Sequence, residues 1–93
     1  MDKLTQQELQ AALADLDGWT VEGDALIKTF RFQDFIRSVN FVNALAEVAE
    51  EMQHHPDIDI RYNKVTLHLS THSVGGVTQN DVTLARHADH RAR

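Results

Sequence analysis

Four of the six histidines in this 93-residue chain fall within the nineteen positions from His54 to His72. His54 and His55 are adjacent and run straight into Pro56, the only proline. Imidazole is the side chain whose ordinary pKa lies nearest neutrality, so it gives or takes a proton at little cost. Three histidines converging on one pocket would suit a reaction that moves two protons and needs no metal. Proline fixes its own backbone and pushes the preceding residue out of the helical region. The histidine pair is therefore expected where a helix gives way to a turn.

The element that delivers the pair is a long helix, expected from an Asp34 cap to about Gln53. It carries two apolar stripes. One is Phe35, Val39, Val42, Ala46 and Ala49; the other is Phe41, Leu45, Val48 and Met52. Neighbouring helical positions point about 100° apart. The apolar face is thus wider than one sheet contact needs, and one stripe is expected to meet either the core or a second subunit.

Period-two alternation flanks this helix on both sides. Before it, Trp19–Glu22 and Ala25–Phe32 read as strands joined by a Gly23-Asp24 turn. Leu26, Phe30 and Phe32 share one side, with Lys28 as the exception. After it, Ile58, Ile60 and Tyr62 alternate with Asp57, Asp59 and Arg61, and Asn63-Lys64 is expected to turn the chain. Val65, Leu67 and Leu69 then alternate with polar residues. Capping-box spacing starts two more helices, at Thr5 to Glu8 and at Thr78 to Asp81. The first should carry Leu9, Ala12, Leu13 and Leu16 on one face and stop at Gly18. The last ends in Arg86, His87, His90, Arg91 and Arg93, and positive charge suits a helix C-terminus. The order α-β-β-α-β-β-α predicts an α+β fold, a four-stranded antiparallel sheet with three helices on one face. Residues 1–93 read as one small domain.

Composition narrows the function. There is no cysteine, which excludes a disulfide framework, a thiolate zinc site and a cysteine nucleophile. A formal net charge of −5 argues against a general nucleic-acid binder. No uncharged run approaches the ~20 residues of a membrane span, and the first residues carry no apolar leader. A cytoplasmic protein is expected.

Read as one pattern, the central residues are Glu50-x3-His54-His55-Pro56-x5-Tyr62-x9-His72-x8-Asp81. This closely resembles the signature of the pterin-4a-carbinolamine dehydratases. The likeness extends to Gly18-Trp19, Phe32 to Phe35, Tyr62 to Val65 and Leu69 to His72. The resemblance implies dehydration of 4a-hydroxytetrahydropterin to quinonoid dihydropterin, which recycles the cofactor of aromatic amino acid hydroxylases. It implies a small-molecule pterin substrate, no cofactor, no metal, and a homodimer or homotetramer. It makes His54 and His72 an acid/base pair, and His55 a further catalytic residue that holds the pterin and helps protonate it. Thr71, Ser73 and Val74, with Pro56, would surround the ring. Glu50, one helical turn before His54, is expected to orient that imidazole. Asp81 and Trp19 are supporting residues, Asp81 chiefly as a helix cap; Tyr62 and Trp19 are read as core or pocket wall. Gln53 departs from an acidic residue common in the family just before the two histidines.

Two other functions compete. One is a binding module that keeps this fold and acts through the long helix; in animals some members of the resembled family bind a homeodomain transcription factor. The other is a metal site built from His54, His55 and His72. The chain has no His-Glu-x-x-His motif and no cysteine to strengthen the metal reading.

Overall fold

The computed structural model describes residues 2–93. Its elements are α1 (Gln6–Leu13), β1 (Thr20–Glu22), β2 (Ala25–Arg31), α2 (Phe35–Met52), β3 (Asp57–Arg61), β4 (Lys64–Leu69) and α3 (Gln79–Arg91). The four strands form one sheet in the order β1-β2-β4-β3, antiparallel throughout. This is the α+β order read from the sequence.

The sheet has one covered and one open face. Leu26, Phe30, Val65, Leu67 and Leu69 are buried against the helices with Phe41, Leu45, Val48, Val82, Leu84 and Ala85. Lys28 lies on this covered side, opposite Leu67. Its ammonium donates to Asp89 at 2.7 Å and to the Asp17 carbonyl at 2.8 Å, 4.7 Å above the Phe30 ring. The Trp19 indole donates to both Asp89 oxygens at 3.1 Å. A cation thus sits beside the core because its charge is matched and its stem covers apolar surface. Trp19 is a core residue.

Both capping boxes form as expected, at Thr5 with Glu8 and at Thr78 with Asp81. Three local readings need correction. The first helix stops at Leu13 and not at Gly18. The amides of Asp15 and Leu16 bond three residues back, to Ala12 and Leu13, and the tightened turn carries Leu16 into the core from outside the helix. The β3–β4 turn is Tyr62-Asn63, one residue earlier than the Asn63-Lys64 reading, because Arg61 pairs with Lys64. Tyr62 takes a left-handed φ of 54° there and is 66% exposed, so it is neither core nor pocket wall.

The two stripes of α2 have different fates. Phe41, Leu45 and Val48 are buried, joined by Ala49 from the other stripe. Phe35 stays 51% exposed, Ala46 is exposed, and Val39 and Val42 are only half-buried. Among the described residues no helix is long and apolar enough to cross a membrane.

The end of α2 sets up the site. Gln53 has φ 53°, ψ 42°, in the left-handed region. Its amide bonds to the Glu50 carbonyl at 3.1 Å, and the His54 amide to the Ala49 carbonyl at 3.0 Å. This is the Schellman arrangement, in which glycine is the usual left-handed residue. Gln53 compensates in part by donating its side-chain amide to the Glu50 carbonyl at 3.0 Å. Gln53→Gly is expected to raise the free energy of unfolding by about 0.5–1 kcal/mol, since glycine enters this region without a Cβ clash. Urea titration checks it, and a less stable variant would mean that the glutamine side chain holds the turn.

Candidate active site

Three chain ends meet beside α2's last turn. His54 follows α2, Thr71 follows β4, and Asp81 lies in the first turn of α3. Asp81 is fully buried. Burying a carboxylate costs several kcal/mol unless donors surround it. Here the Thr78 amide donates to Oδ2 at 2.9 Å and the Thr71 hydroxyl to the same oxygen at 2.8 Å. Nε2 of His54 lies 2.5 Å from Oδ1. Thr71 has one hydroxyl proton, and Asp81 takes it. The Thr78 hydroxyl, 2.8 Å away, therefore donates to Thr71.

A carboxylate only accepts, so Nε2 of His54 carries the proton in this pair. Nδ1 is then the free nitrogen of the neutral ring. It has no hydrogen-bond partner among the described residues, and no unpartnered side-chain nitrogen there is sealed from solvent. The His54 ring is held at one nitrogen and open at the other. Asp81 is thus both the helix cap read from the sequence and the partner of His54.

A cavity of about 340 Å³ opens at this point. His54, His55, Pro56, Thr71, His72 and Ser73, six of the residues singled out in the sequence, line it. The strand ends at Leu69. A bridge between Thr71 and Gly76 then closes the loop that carries His72 and Ser73. Val74 is not on the wall; its amide bonds to the Thr71 carbonyl at 3.1 Å. Glu50 is not on the wall either, and it does not reach His54. The helix ends at Met52 and the left-handed Gln53 turns the chain, so the one-turn spacing between Glu50 and His54 is lost. Glu50 instead meets His55 Nε2 at 3.3 Å, with both side chains exposed. Trp19 lies in the core, away from the cavity.

Gln53, Asp57 and Ser70 also line the cavity and were not anticipated as site residues. Their only signal in the sequence is adjacency to the histidine run and to Thr71-His72. Among the described residues no group of three or more His, Asp or Glu is arranged to hold a metal ion.

Fold and site together define an α+β domain with a histidine-lined, carboxylate-backed cavity at the ends of its central elements. The sequence profile described as Pterin 4 alpha carbinolamine dehydratase matches residues 2–91. A Thermomicrobium roseum protein named "Putative pterin-4-alpha-carbinolamine dehydratase" is 48% identical over 86 residues, 92% of each chain. A Sulfurisphaera tokodaii protein of the same name is 46% identical over 89 residues, 96% of each chain. The crystal structure of a transcriptional coactivator/pterin dehydratase from Brucella melitensis superposes with a TM-score of 0.95. It is 39% identical and the match covers 99% of this chain and all of that one. The chain belongs to the pterin 4 alpha carbinolamine dehydratase family. A pterin dehydratase-like protein described as a RuBisCO assembly factor in the alpha-carboxysome shares the fold at 24% identity and a TM-score of 0.67.

The Thr71 hydroxyl is a sensitive point. Thr71→Val removes a donor from a buried carboxylate and is expected to cost about 1–2 kcal/mol of stability, while Thr71→Ser keeps the donor and most of that loss is recovered. Chemical denaturation of the three proteins measures it. Equal stability of the valine variant would show that this bond contributes nothing.

Proposed function

We propose that the protein is a 4a-hydroxytetrahydropterin dehydratase acting by histidine acid/base chemistry. The observation that carries this reading is His54, pinned at Nε2 by a buried carboxylate and free at Nδ1, on the wall of a cavity that His55 and His72 also line. The cavity volume of about 340 Å³ is within the range of small-molecule sites. The family's name supplies the substrate class.

In the reaction the N5 lone pair forms the C4a–N5 double bond as the C4a–O bond breaks. The hydroxyl needs a proton to leave as water. The resulting iminium then loses its N5 proton to give neutral quinonoid dihydropterin. One group must donate and one must accept. As a neutral ring, His54 offers Nδ1 as a base; once protonated, its charge is balanced by Asp81 2.5 Å away. His72, exposed on the loop after β4, is the second proton-transfer group. His55, paired weakly with Glu50, holds the pterin against Pro56 and Ser73. The reaction needs no metal or cofactor in this scheme. It would serve aromatic amino acid hydroxylases in the cytoplasm by returning their pterin to the recycling route.

His54→Ala and His72→Ala are each expected to lower turnover about 10²-fold or more, the usual general acid/base contribution. The assay is stopped-flow absorbance of enzymatically generated 4a-hydroxytetrahydropterin. Folded variants that keep wild-type turnover would refute the mechanism. A wild-type protein with no acceleration would favour a non-catalytic binding module on the same fold.

The half-covered stripe of α2 supports a homo-oligomer, a dimer or tetramer in which a second copy packs on Phe35, Val39 and Val42. Val42→Asp would bury a charge there, and sedimentation is expected to show the wild type as an oligomer and this variant as a monomer. A monomeric wild type at micromolar concentration would remove the idea.

A further inference from the structure

Positive charge gathers at the end of the molecule opposite His54, His55 and His72. Segments 31–37, 59–64 and 91–93 contain Arg31, Arg37, Arg61, Lys64, Arg91 and Arg93, six of the nine Lys and Arg residues, but only two carboxylates, Asp34 and Asp59. By sequence those segments carry +4; with Lys28, Asp15, Asp17 and Asp89, which line a cavity beside Ala92 and Arg93, the end carries +2 and the remainder −7 in a chain of net −5. The segments meet in space. Phe32 exchanges hydrogen bonds with Asn63 in the β3–β4 turn, at 2.8 and 3.1 Å. A cavity of about 350 Å³ joins the start of α2 to the end of α3.

Neither feature is explained by stability. Arg31, Lys64 and Arg61 stand in register across β2, β4 and β3, one row of three cations on the open sheet face. Like charges opposite one another in a sheet are destabilising. Arg61 has Asp59 at 3.3 Å, but Arg31 and Lys64 have no ion-pair partner among the described residues. On the helix side, Arg37, Arg91 and Arg93 line the cavity together with Phe32 and Phe41. Among the described residues only Arg37 of the three is in an ion pair, with Asp34, while Arg93 also borders a cavity lined by Asp15, Asp17 and Asp89. Ile36, 69% exposed, lies one helical turn before the cavity residue Asn40.

We propose that this end docks an acidic, apolar-studded peptide segment of a partner protein. Carboxylates meet the guanidinium groups, and an apolar side chain enters between Phe32, Phe41 and Ile36. A nucleic acid would use the cations but not the apolar anchor, and the −7 over the rest of the surface repels an extended polyanion. A second copy packed through this same end would set its own row of cations against these, which a short acidic segment does not. The proposal rests on charge placement and stands whether or not the histidines dehydrate a pterin.

The test is fluorescence anisotropy with a labelled peptide of alternating Glu and Leu residues, on the full chain at about 0.05 M and then at physiological salt. Saturable binding is expected, weakened about 10-fold or more by Arg91→Glu or Lys64→Glu and unchanged by Arg86→Glu, which lies outside this end. Ile36→Ser, or replacing the peptide's leucines by serine, should weaken it comparably through the apolar anchor. Circular dichroism confirms that each variant is folded. No binding, equal loss in Arg86→Glu, indifference to the leucines, or tighter binding of a single-stranded oligonucleotide would each overturn the proposal.

Discussion

The buried carboxylate of Asp81 is the constraint on which the rest depends. A charge with no solvent exposure in a domain this small is tolerable only when its donors are in place. Those donors come from three separate stretches: His54 after α2, Thr71 after β4, and the Thr78 amide at the start of α3. If α3 frays, the carboxylate loses its cap; if the Thr71 loop opens, it loses a hydroxyl. Site geometry and local stability are therefore the same set of bonds. The loop that carries His72 is fixed relative to His54 through the two oxygens of one side chain.

The second constraint is how α2 ends. Continued by one more turn, the helix would keep His54 above Glu50, with the imidazole facing an exposed acid. The left-handed Gln53 breaks that alignment and sends His54 toward Asp81, while the exposed Glu50 is left to His55. A surface pair such as Glu50 with His55 contributes little. The buried pair fixes a tautomer, and that is the property acid/base chemistry requires. Pro56 then prevents the helical path from resuming and starts β3 at Asp57.

Much of this was legible in the residues. Capping boxes at Thr5 and Thr78, the Asp34 cap, the Gly23-Asp24 turn and the strand alternation each follow from local chemistry, and each local reading held. What the residues alone left unexplained depended in part on contacts distant in sequence. Lys28 looked misplaced on an apolar face until Asp89, 61 positions later, supplied its partner. The His54–Asp81 bond spans 27 positions. Spacing alone favoured Glu50 for His54, because a four-residue interval suggests a helical neighbour. The turn at Tyr62 slipped by one residue because an aromatic side chain reads as strand, and nothing local shows that its backbone must turn left-handed. Leu16 was found for the core but on the wrong local structure, since apolar spacing does not distinguish a fourth helical turn from a tightened end.

The architecture also separates two kinds of surface. Both α2 and β4 run from the arginine end toward the histidine end. An 18-residue helix at 1.5 Å per residue keeps those ends about 27 Å apart. Charges exposed to water are screened beyond a Debye length of about 8 Å at physiological salt. The cations of Arg31, Lys64 and Arg91 therefore exert little field at His54, whose charge balance is set by Asp81 in direct contact. The proposed contact surface and the proposed proton-transfer site are compatible on a chain of 93 residues because one helix spans the distance between them and one buried carboxylate sets the charge balance at His54.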